Sequence, residues 1–250
     1  MKRCYQYGVL TGGAFDVTVS PLLEQWGIYR GKLKEVKEDK LRTLLHAVSY
    51  KNIKINDNDS LISFAHKQTK VDLGLVVKGY AIDKALELVK QSGITSVCIN
   101  YGSVTRMREP PSEKNSWKVG IPHPGKGDTV IGSFHLVNQG VAFVADYSRY
   151  PTIQDKSYIH LINPGEGRPV GKEILATTAI AATAEEAGVL ATVLFIKWSE
   201  GVQGLSMVFP NSGWLLLLEF RVSSGIGERF VKGEEKIFKY GKGSGCPFSP

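Results

Sequence analysis

Residues 71–86 read VDLGLVVKGYAIDKAL and pass from a strand pattern into a helix pattern. The predicted turn between the two patterns carries Asp72, Gly74, Lys78 and Gly79. A turn that only reverses the chain does not need a lysine, whereas a fixed ammonium group beside glycines suits a phosphate, which backbone N–H groups can then approach. The stretch therefore predicts a strand, a ligand-binding turn and a helix. The alternative is an ordinary turn with Lys78 in solvent.

The residues after this stretch continue the alternation of helix and strand. Apolar residues recur at helical spacing over 79–92, and Gly93 is placed to end that helix. The run SVCINYG at 96–102 has the composition of a short buried strand, with Cys98 in the core. We therefore expect helix and strand in the same domain.

The middle and the end of the chain carry mostly strand patterns. Three apolar runs are punctuated by Gly and Pro: 117–124, 130–137 and 140–145. An Ala- and Thr-rich segment predicts a strand to about Ala182 and a helix from Ala184. The rest is strand-like to about Val222, and the Gly-rich segment 241–250 is predicted to be a flexible tail.

The chain before the quoted stretch begins with GGAFDVTVSPLLEQWG, residues 12–27. Ser20, which precedes a proline, predicts a helix start with Ser20 as its cap. Phe15 is expected in the core, and Asp16 and Thr18 are expected to bond backbone groups rather than to do chemistry.

Two further segments separate this start from the quoted stretch. The lysine-rich segment 31–57 predicts exposed helix and loop, and the alternating segment 60–74 predicts a hairpin or two edge strands. No long repeat and no strong linker divides the sequence, so we predict one domain over 1–250. The mixture of strands and a few helices predicts an α+β fold.

Composition narrows the classes of function. The 250 residues carry a formal net charge of +7, and the most apolar window, GWLLLLEF, is too short to span a membrane. Lys and Arg are scattered, so a solvated basic surface explains the charge better than a nucleic-acid groove does, and an anionic ligand is the sharper alternative. The cysteines form no CxxC pair, which argues against a zinc site or a redox motif. The sequence contains no GxGxxG motif, so a Rossmann dinucleotide site is unsupported.

Four segments, in this order, resemble the FAD:protein FMN transferases of the ApbE family: GGAFDVTVSPLLEQWG, VDLGLVVKGYAIDKA, HLINPGEGRPV and AEEAGVLATVLF. The resemblance extends from about Gly12 to about Phe220. It implies an ApbE-type α+β fold, with mixed sheets packed by helices and a nucleotide cleft between two lobes. It also implies that the chain is short at its N-terminus, because family members carry a sizeable segment before the first motif. The basic N-terminus lacks an apolar signal-peptide core, so either the protein stays where it is made or a leader is absent from the sequence.

The resemblance also implies a reaction. Members of the family cut FAD at its diphosphate, place FMN on a threonine hydroxyl of a target flavoprotein and release AMP, with magnesium. We therefore expect FAD as the substrate, Mg²⁺ as the metal, and a flavoprotein with an acceptor threonine as the partner.

Candidate site residues follow from the matching motifs. Those implied to bind the flavin nucleotide are Asp72, Lys78, Gly79, Asn100, Asp146 and Arg168. His160 is the candidate base, because a threonine hydroxyl is a poor nucleophile at neutral pH, although a histidine bonded inside a turn is the alternative. Arg168 could instead meet the target protein or form a surface salt bridge. Thr192 and the carbonyl group of Leu75 are implied as ligands of magnesium.

The sequence departs from the family pattern at the metal site. The family has an aspartate four residues before the threonine, so that both side chains share one helix face, but this chain has Gly188 there. Glycine offers a hard cation no carboxylate oxygen. Glu185, two helical turns before Thr192, is a stretched substitute. Leu75 replaces a smaller residue of the family.

Replacements also occur near the nucleotide. Ser103 and Val104 stand where the family has a second glycine and often an aspartate, and 143–145 replaces a threonine-serine-glycine run. Two hypotheses from different classes follow: an FAD:protein FMN transferase, or an FAD-binding protein that lacks the metal-ligand aspartate and does not transfer FMN. A basic nucleic-acid-binding domain, the third hypothesis, rests on charge alone.

Overall fold

The computed structural model of the protein describes most of the chain. The described residues are 1–31, 33–123, 129–145, 152–153, 156–157, 161–171, 174–197, 208–209, 212–218, 229–233 and 236–242. Helices and strands are mixed along them, so the α+β prediction is confirmed.

The helices and strands are numbered in chain order. The α-helices are α1 (Lys2–Leu10), α2 (Ser20–Trp26), α3 (Glu38–Leu45), α4 (Gly74–Gln91) and α5 (Ala184–Lys197). The strands are β1 (Ile53–Asn56), β2 (Leu61–Phe64), β3 (Cys98–Tyr101), β4 (Val104–Met107), β5 (Trp117–Pro122), β6 (Val130–Leu136), β7 (Gly140–Ala145), β8 (Thr152–Ile153), β9 (Lys156–Ser157), β10 (Ile162–Asn163), β11 (Arg168–Pro169), β12 (Ile174–Ala181), β13 (Gly213–Leu218), β14 (Arg229–Gly233) and β15 (Lys236–Lys242).

The chain divides into two compact units. The first comprises the described residues of Met1–Leu73 and Ser148–Lys172, and the second comprises those of Gly74–Tyr147 and Glu173–Pro250. The nucleotide cleft expected between two lobes stays a prediction.

Helices α2 and α3 enclose a core of the first unit. Its buried members are Val19, Leu22, Leu23, Trp26, Val36, Leu41, Leu44, Val48 and Ile162. Pro21 favours the first turn of α2 because its ring fixes φ, and Gly27 ends the helix at a φ of 76°. The prediction that Ser20 caps α2 is wrong, because the helix begins at Ser20 itself and its N-cap is Val19. The Ser20 hydroxyl instead lies 3.2 Å from the hydroxyl of Tyr29.

Helix α1 was not predicted from the sequence. It buries Cys4, Tyr7 and Gly8, and the ring of Tyr7 packs edge-on against that of Phe15 with the centroids 5.9 Å apart. A β-carbon on Gly8 would lie 2.6 Å from the ring of Tyr50. Because few of its residues are apolar and buried, α1 carries only a faint periodic signal.

The segment before the quoted stretch pairs differently from the prediction. Strand β2 forms its hairpin with β1, which lies in the segment expected to be helix and loop. Lys70 makes an isolated parallel bridge to Val19.

A seven-stranded sheet forms the frame of the second unit. Its order is β14-β15-β13-β12-β7-β4-β3, and its strand pairs are antiparallel. Helix α5 packs against β7, β12 and α4 and is buried on nearly all sides. A helix that is apolar all round belongs in a core. The strands predicted at 117–124, 130–137 and 140–145 are confirmed as β5, β6 and β7, and so is the change from strand to helix before Ala184.

Two features of the second unit correct the prediction. Helix α4 begins at Gly74, so Lys78 and Gly79 lie inside the helix and not in a turn before it. The apolar run after Gly74 fits a strand and a helix equally well, and only packing decides between them. Cys98 is exposed, because β3 lies at the described edge of the sheet.

The end of the described chain also differs from the prediction. Gly241 and Lys242, the first two residues of the expected tail, belong to β15 and pair with Trp214 and Gly213. Residues 243–250 lie outside the described residues. Across the described ranges, no helix combines the length and the apolar character that a membrane span needs.

Candidate functional site

The loop that contains Asp16 is held together by its own polar groups. Its Oδ1 accepts hydrogen bonds from the backbone N–H of Thr18, at 2.8 Å, and from the hydroxyl of Thr18, at 2.6 Å. Its Oδ2 accepts the N–H of Tyr50 at 2.6 Å. Phe15 beside it is 2% exposed, and burial raises the pKa of Asp16 above its ordinary value. The expectation that Phe15 is a core residue and that Asp16 bonds backbone groups is confirmed.

Asp72 is positioned by a tyrosine that the sequence analysis missed. The N–H of Asp72 donates to the carbonyl oxygen of Val17 at 2.7 Å, and its carboxylate accepts a hydrogen bond from the hydroxyl of Tyr29. Partial burial and the bond to Asp72 raise the pKa of Tyr29 to about 12. No motif links residues 43 positions apart, so only the fold could reveal this pair.

Arg168 lies at the start of β11 in a hairpin of the first unit. Its guanidinium bonds the carboxylate of Glu38, and both side chains are about half exposed. The hairpin is fixed to α2, because the indole N–H of Trp26 donates to the carbonyl oxygen of Gly167 at 2.8 Å. The surface salt bridge that was one alternative for Arg168 is therefore present. A role toward phosphate or a target protein stays a prediction.

Gly79 allows helices α4 and α5 to approach closely. A β-carbon at Gly79 would lie 2.5 Å from the Cα of Glu185, a distance that no side chain tolerates. The close packing of the two helices therefore requires a glycine at this position, whether or not a ligand binds there. A contact between Gly79 and a nucleotide stays a prediction.

Asp83, one turn after Gly79, caps the neighbouring helix. Its carboxylate accepts the N–H groups of Ala184, at 2.9 Å, and Glu185, at 3.0 Å, which are the first two residues of α5. These amides have no partner inside their own helix. Asp83 lies in the matched motif, but the cap could not be read from the sequence because its acceptor and donors are about a hundred residues apart.

Two more contacts hold the amino end of α5. The Nε of Arg106 lies 3.5 Å from Oδ1 of Asp83, and burial lowers the pKa of Arg106. On another side, a β-carbon at Gly140 would lie 2.5 Å from the carbonyl group of Thr183. The first turn of α5 therefore has little freedom to shift against α4 and β7.

The residues implied for magnesium meet along the same two helices. The hydroxyl of buried Thr192 donates to the carbonyl oxygen of Gly188 at 2.9 Å. A β-carbon at Gly188 would lie 3.6 Å from the carbonyl oxygen of Leu75, an ordinary contact. The structure therefore brings Leu75 close to position 188, the site of the family's aspartate, with Thr192 one turn further on.

These groups do not fit magnesium as a complete ligand set. The Leu75 carbonyl and the Thr192 hydroxyl are neutral, whereas proteins usually hold magnesium through one or two carboxylates. Glu185 lies about 10.5 Å from Thr192 along the helix axis, so one ion could meet both side chains only if they were extended, and Glu185 as a substitute ligand stays a prediction. Within the described part of the chain, no three His, Cys, Asp or Glu side chains come together as a metal site.

Lys78 and Asn100 lie on neighbouring elements of the second unit. Lys78 is exposed, and its Nζ lies 6.0 Å from the ring centroid of Tyr101. Asn100 donates from Nδ2 to the hydroxyl of Thr105 at 2.6 Å, across the β3–β4 pair. The structure thus places Lys78 beside Tyr101, the residue that follows Asn100 in β3.

The remaining candidates are not all placed. Asp146 and His160 lie outside the described residues. Asp72 and Arg168 belong to the first unit, whereas Leu75, Lys78, Gly79, Asn100 and Thr192 belong to the second.

Comparison with protein families and curated proteins gives consistent matches. A family model described as "ApbE family" matches residues 1–208. The FAD:protein FMN transferase of Klebsiella pneumoniae (strain 342) is 30% identical over 207 residues, which cover 78% of this chain and 57% of the relative. The protein of the same name from Escherichia coli (strain K12) is 27% identical over 201 residues, with 77% and 56% covered. The chain therefore spans little more than half the length of these relatives.

Solved structures agree on the fold. The crystal structure of the ApbE protein from Thermotoga maritima is similar with a TM-score of 0.78 and 30% identity, over 87% of this chain and 71% of that chain. The flavin transferase ApbE from Vibrio cholerae has a TM-score of 0.74 at 21% identity, over 98% of this chain and 73% of that chain. At that identity the second likeness supports the fold alone. The expected fold type is confirmed.

Proposed function

The chain belongs to the ApbE family, and we propose that it binds FAD and transfers FMN from it to a threonine hydroxyl of a flavoprotein. The observation that carries the proposal is the family match over residues 1–208, together with relatives named FAD:protein FMN transferase that cover 78% and 77% of this chain. The contact of α4 with α5 brings together Leu75, position 188 and Thr192, the positions that the resemblance implies for magnesium.

The proposed reaction forms one bond and breaks another. The threonine Oγ bonds to the phosphorus of the FMN half, the bond from that phosphorus to the bridging oxygen breaks, and AMP leaves. His160 accepts the proton of the threonine hydroxyl. Lys78 balances charge on the diphosphate, and the other nucleotide contacts proposed are those of Asp72, Gly79, Asn100, Asp146 and Arg168.

No step is assigned to magnesium, because its proposed ligands lack a carboxylate. This observation favours a second candidate function, FAD binding without transfer. The two candidates differ at Gly188, so a substitution there separates them.

The deciding experiment compares the parent protein with Gly188→Asp and with Gly188→Ala as the matched control. Magnesium binding is measured by calorimetry, and transfer is measured as covalent flavin on a threonine-containing acceptor after denaturation, with magnesium or with a chelator. We expect Gly188→Asp to raise both quantities and Gly188→Ala to raise neither, because only aspartate adds a ligand. A parent protein that is already active and magnesium-dependent would overturn the account of Gly188 and exclude the second function. If no version transfers FMN but all bind FAD, the second function stands.

A separate test addresses the role of Lys78. Lys78→Ala should weaken FAD about tenfold or more but weaken riboflavin little, because the ammonium contacts the diphosphate and a charged hydrogen bond contributes about 1.5–3 kcal/mol. Lys84→Ala is the matched control, since Lys84 lies on the same helix and pairs with Glu87 at 2.7 Å. Equal losses for both ligands would remove the phosphate role.

A further inference from the structure

The tip of the β3–β4 hairpin carries an aromatic ring that the motifs do not use. Tyr101 is the last residue of β3, pairs with Val104 across the turn and is 61% exposed. Covering the face of an aromatic ring with another flat apolar surface is energetically favourable. Tyr101 therefore offers a surface on which a planar ligand could stack.

The hairpin that carries this ring is held in place by hydrogen bonds. Gly102 has a φ of 64°, which a glycine adopts without strain, and Asn100 bonds Thr105 across the strands at 2.6 Å. The carbonyl oxygen of Ser103 accepts the N–H of Phe143 from the adjacent strand at 2.9 Å. Ser103 itself has no positive φ, so the loss of the family's second glycine costs the turn no strain. A ring on a base that is already ordered loses little entropy when it binds a ligand.

A positive charge lies beside the ring. The Nζ of Lys78 in α4 lies 6.0 Å from the centroid of Tyr101. Lys84 lies at the same distance from Tyr80, but that pair belongs to a single helix and follows from helical spacing. The contact of Lys78 with Tyr101 instead joins α4 to β3, so the fold itself places a cation and an exposed ring together.

We propose that Tyr101 is a stacking surface for a planar ring of a nucleotide whose phosphate is bound by Lys78. The proposal rests on the FAD binding proposed above and adds a residue to it. A nucleotide joins a flat heteroaromatic ring to phosphate within one molecule, and such rings stack on aromatic side chains whatever their substituents. FAD contains two such rings, adenine and isoalloxazine, and the experiment distinguishes them.

The test compares the parent with Tyr101→Leu, Tyr101→Phe and Tyr101→Trp. FAD and FMN are titrated by flavin fluorescence, and ADP is titrated by calorimetry. We expect Tyr101→Leu to weaken FAD by about fivefold or more, the magnitude typical of one stacked base. The Phe and Trp variants should bind FAD with an affinity within about twofold of the parent's, because each keeps a ring. Tyr80→Leu is the matched control and should leave FAD affinity unchanged.

The nucleotide series assigns the ring. If Tyr101→Leu weakens FAD and ADP but not FMN, adenine stacks on Tyr101. If it weakens FAD and FMN but not ADP, isoalloxazine stacks there. Either result supports the proposal.

Three results would overturn it. FAD affinity that is equal in the parent and in Tyr101→Leu would show that the ring does not contact the ligand. An equal loss in the Leu, Phe and Trp variants would point to the hydroxyl group and not to stacking. A parent protein that does not bind FAD saturably would remove the proposed function itself, together with its stacking surface. Circular dichroism and melting temperature establish whether each variant folds. If Tyr101→Leu does not fold, the folded Phe and Trp variants decide, and a loss of FAD affinity in both would contradict stacking.

Discussion

Two regions carry motifs that resemble the family, and they differ in what surrounds their side chains. In the loop of the first unit, the carboxylate of Asp16 accepts three hydrogen bonds from the protein and Phe15 is buried. In the pair α4–α5 of the second unit, Lys78 is exposed, and among the described residues a β-carbon at position 188 would approach the Leu75 carbonyl oxygen alone, at 3.6 Å. A motif therefore does not tell architecture from ligand binding. The distinction lies in whether the protein itself satisfies the polar groups of the motif.

The largest effect should come from Gly79, which belongs to the second region and has a packing role there. Gly79→Ala places a β-carbon 2.5 Å from the Cα of Glu185, and overpacking of this kind costs about 1–3 kcal/mol of unfolding free energy or more. The loss should exceed the gain of about 1 kcal/mol from better helix propensity. Urea denaturation measures the difference. An unchanged midpoint would mean that α4 and α5 are not held in close contact in solution.

Asp16→Asn should produce the next largest loss and would sharpen the contrast. An amide offers one acceptor oxygen where the carboxylate uses two, so a buried N–H loses its partner at a cost of about 1–3 kcal/mol. FAD affinity of the folded variant should not change. Asp57→Asn is the control, because Asp57 pairs with Lys2 on the surface and should cost about 1 kcal/mol or less. A selective loss of FAD affinity in Asp16→Asn would contradict the architectural role.

Gly188→Ala should have the opposite sign from Gly79→Ala, although both glycines lie inside helices. The added β-carbon meets its nearest neighbour, the Leu75 carbonyl oxygen, at 3.6 Å, which is ordinary contact. Unfolding free energy should therefore rise by up to about 1 kcal/mol, the difference in helix propensity. A decrease would show that this position tolerates no side chain, and the Gly188→Asp experiment would lose its basis.

The smallest effect concerns Tyr29 and its bond to Asp72. Since the folded pKa of Tyr29 is raised from 10.0 to about 12, the stability that it contributes is fully present below pH 10 and is lost as the pH rises toward 12. Absorbance titration of tyrosinate in the parent and in Tyr29→Phe should differ by one late step near pH 12. If the step lost in the variant lies near pH 10, Tyr29 is not held by Asp72, and the first region is less well bonded than described.

The sequence by itself predicted the α+β class, the family, the strands β5, β6 and β7, and the change from strand to helix before Ala184. The class, the strands and the helix follow from patterns that repeat over two to four residues, so neighbours along the chain are enough to reveal them. The family followed from the resemblance of four segments to its motifs. The candidates Lys78, Asn100 and Thr192 came from motif matches in the same way, and so did the missing carboxylate at Gly188.

Only the tertiary structure decided which of these residues touch. The start of α4 at Gly74, the exposure of Cys98, the bond of Tyr29 to Asp72, the cap that Asp83 provides for α5 and the placement of Lys78 beside Tyr101 all depend on the packing of distant segments. Hydrogen bonds and close contacts between such segments form only when helices and sheet pack together. No local periodicity encodes them, because their strength depends on distances that the whole fold sets.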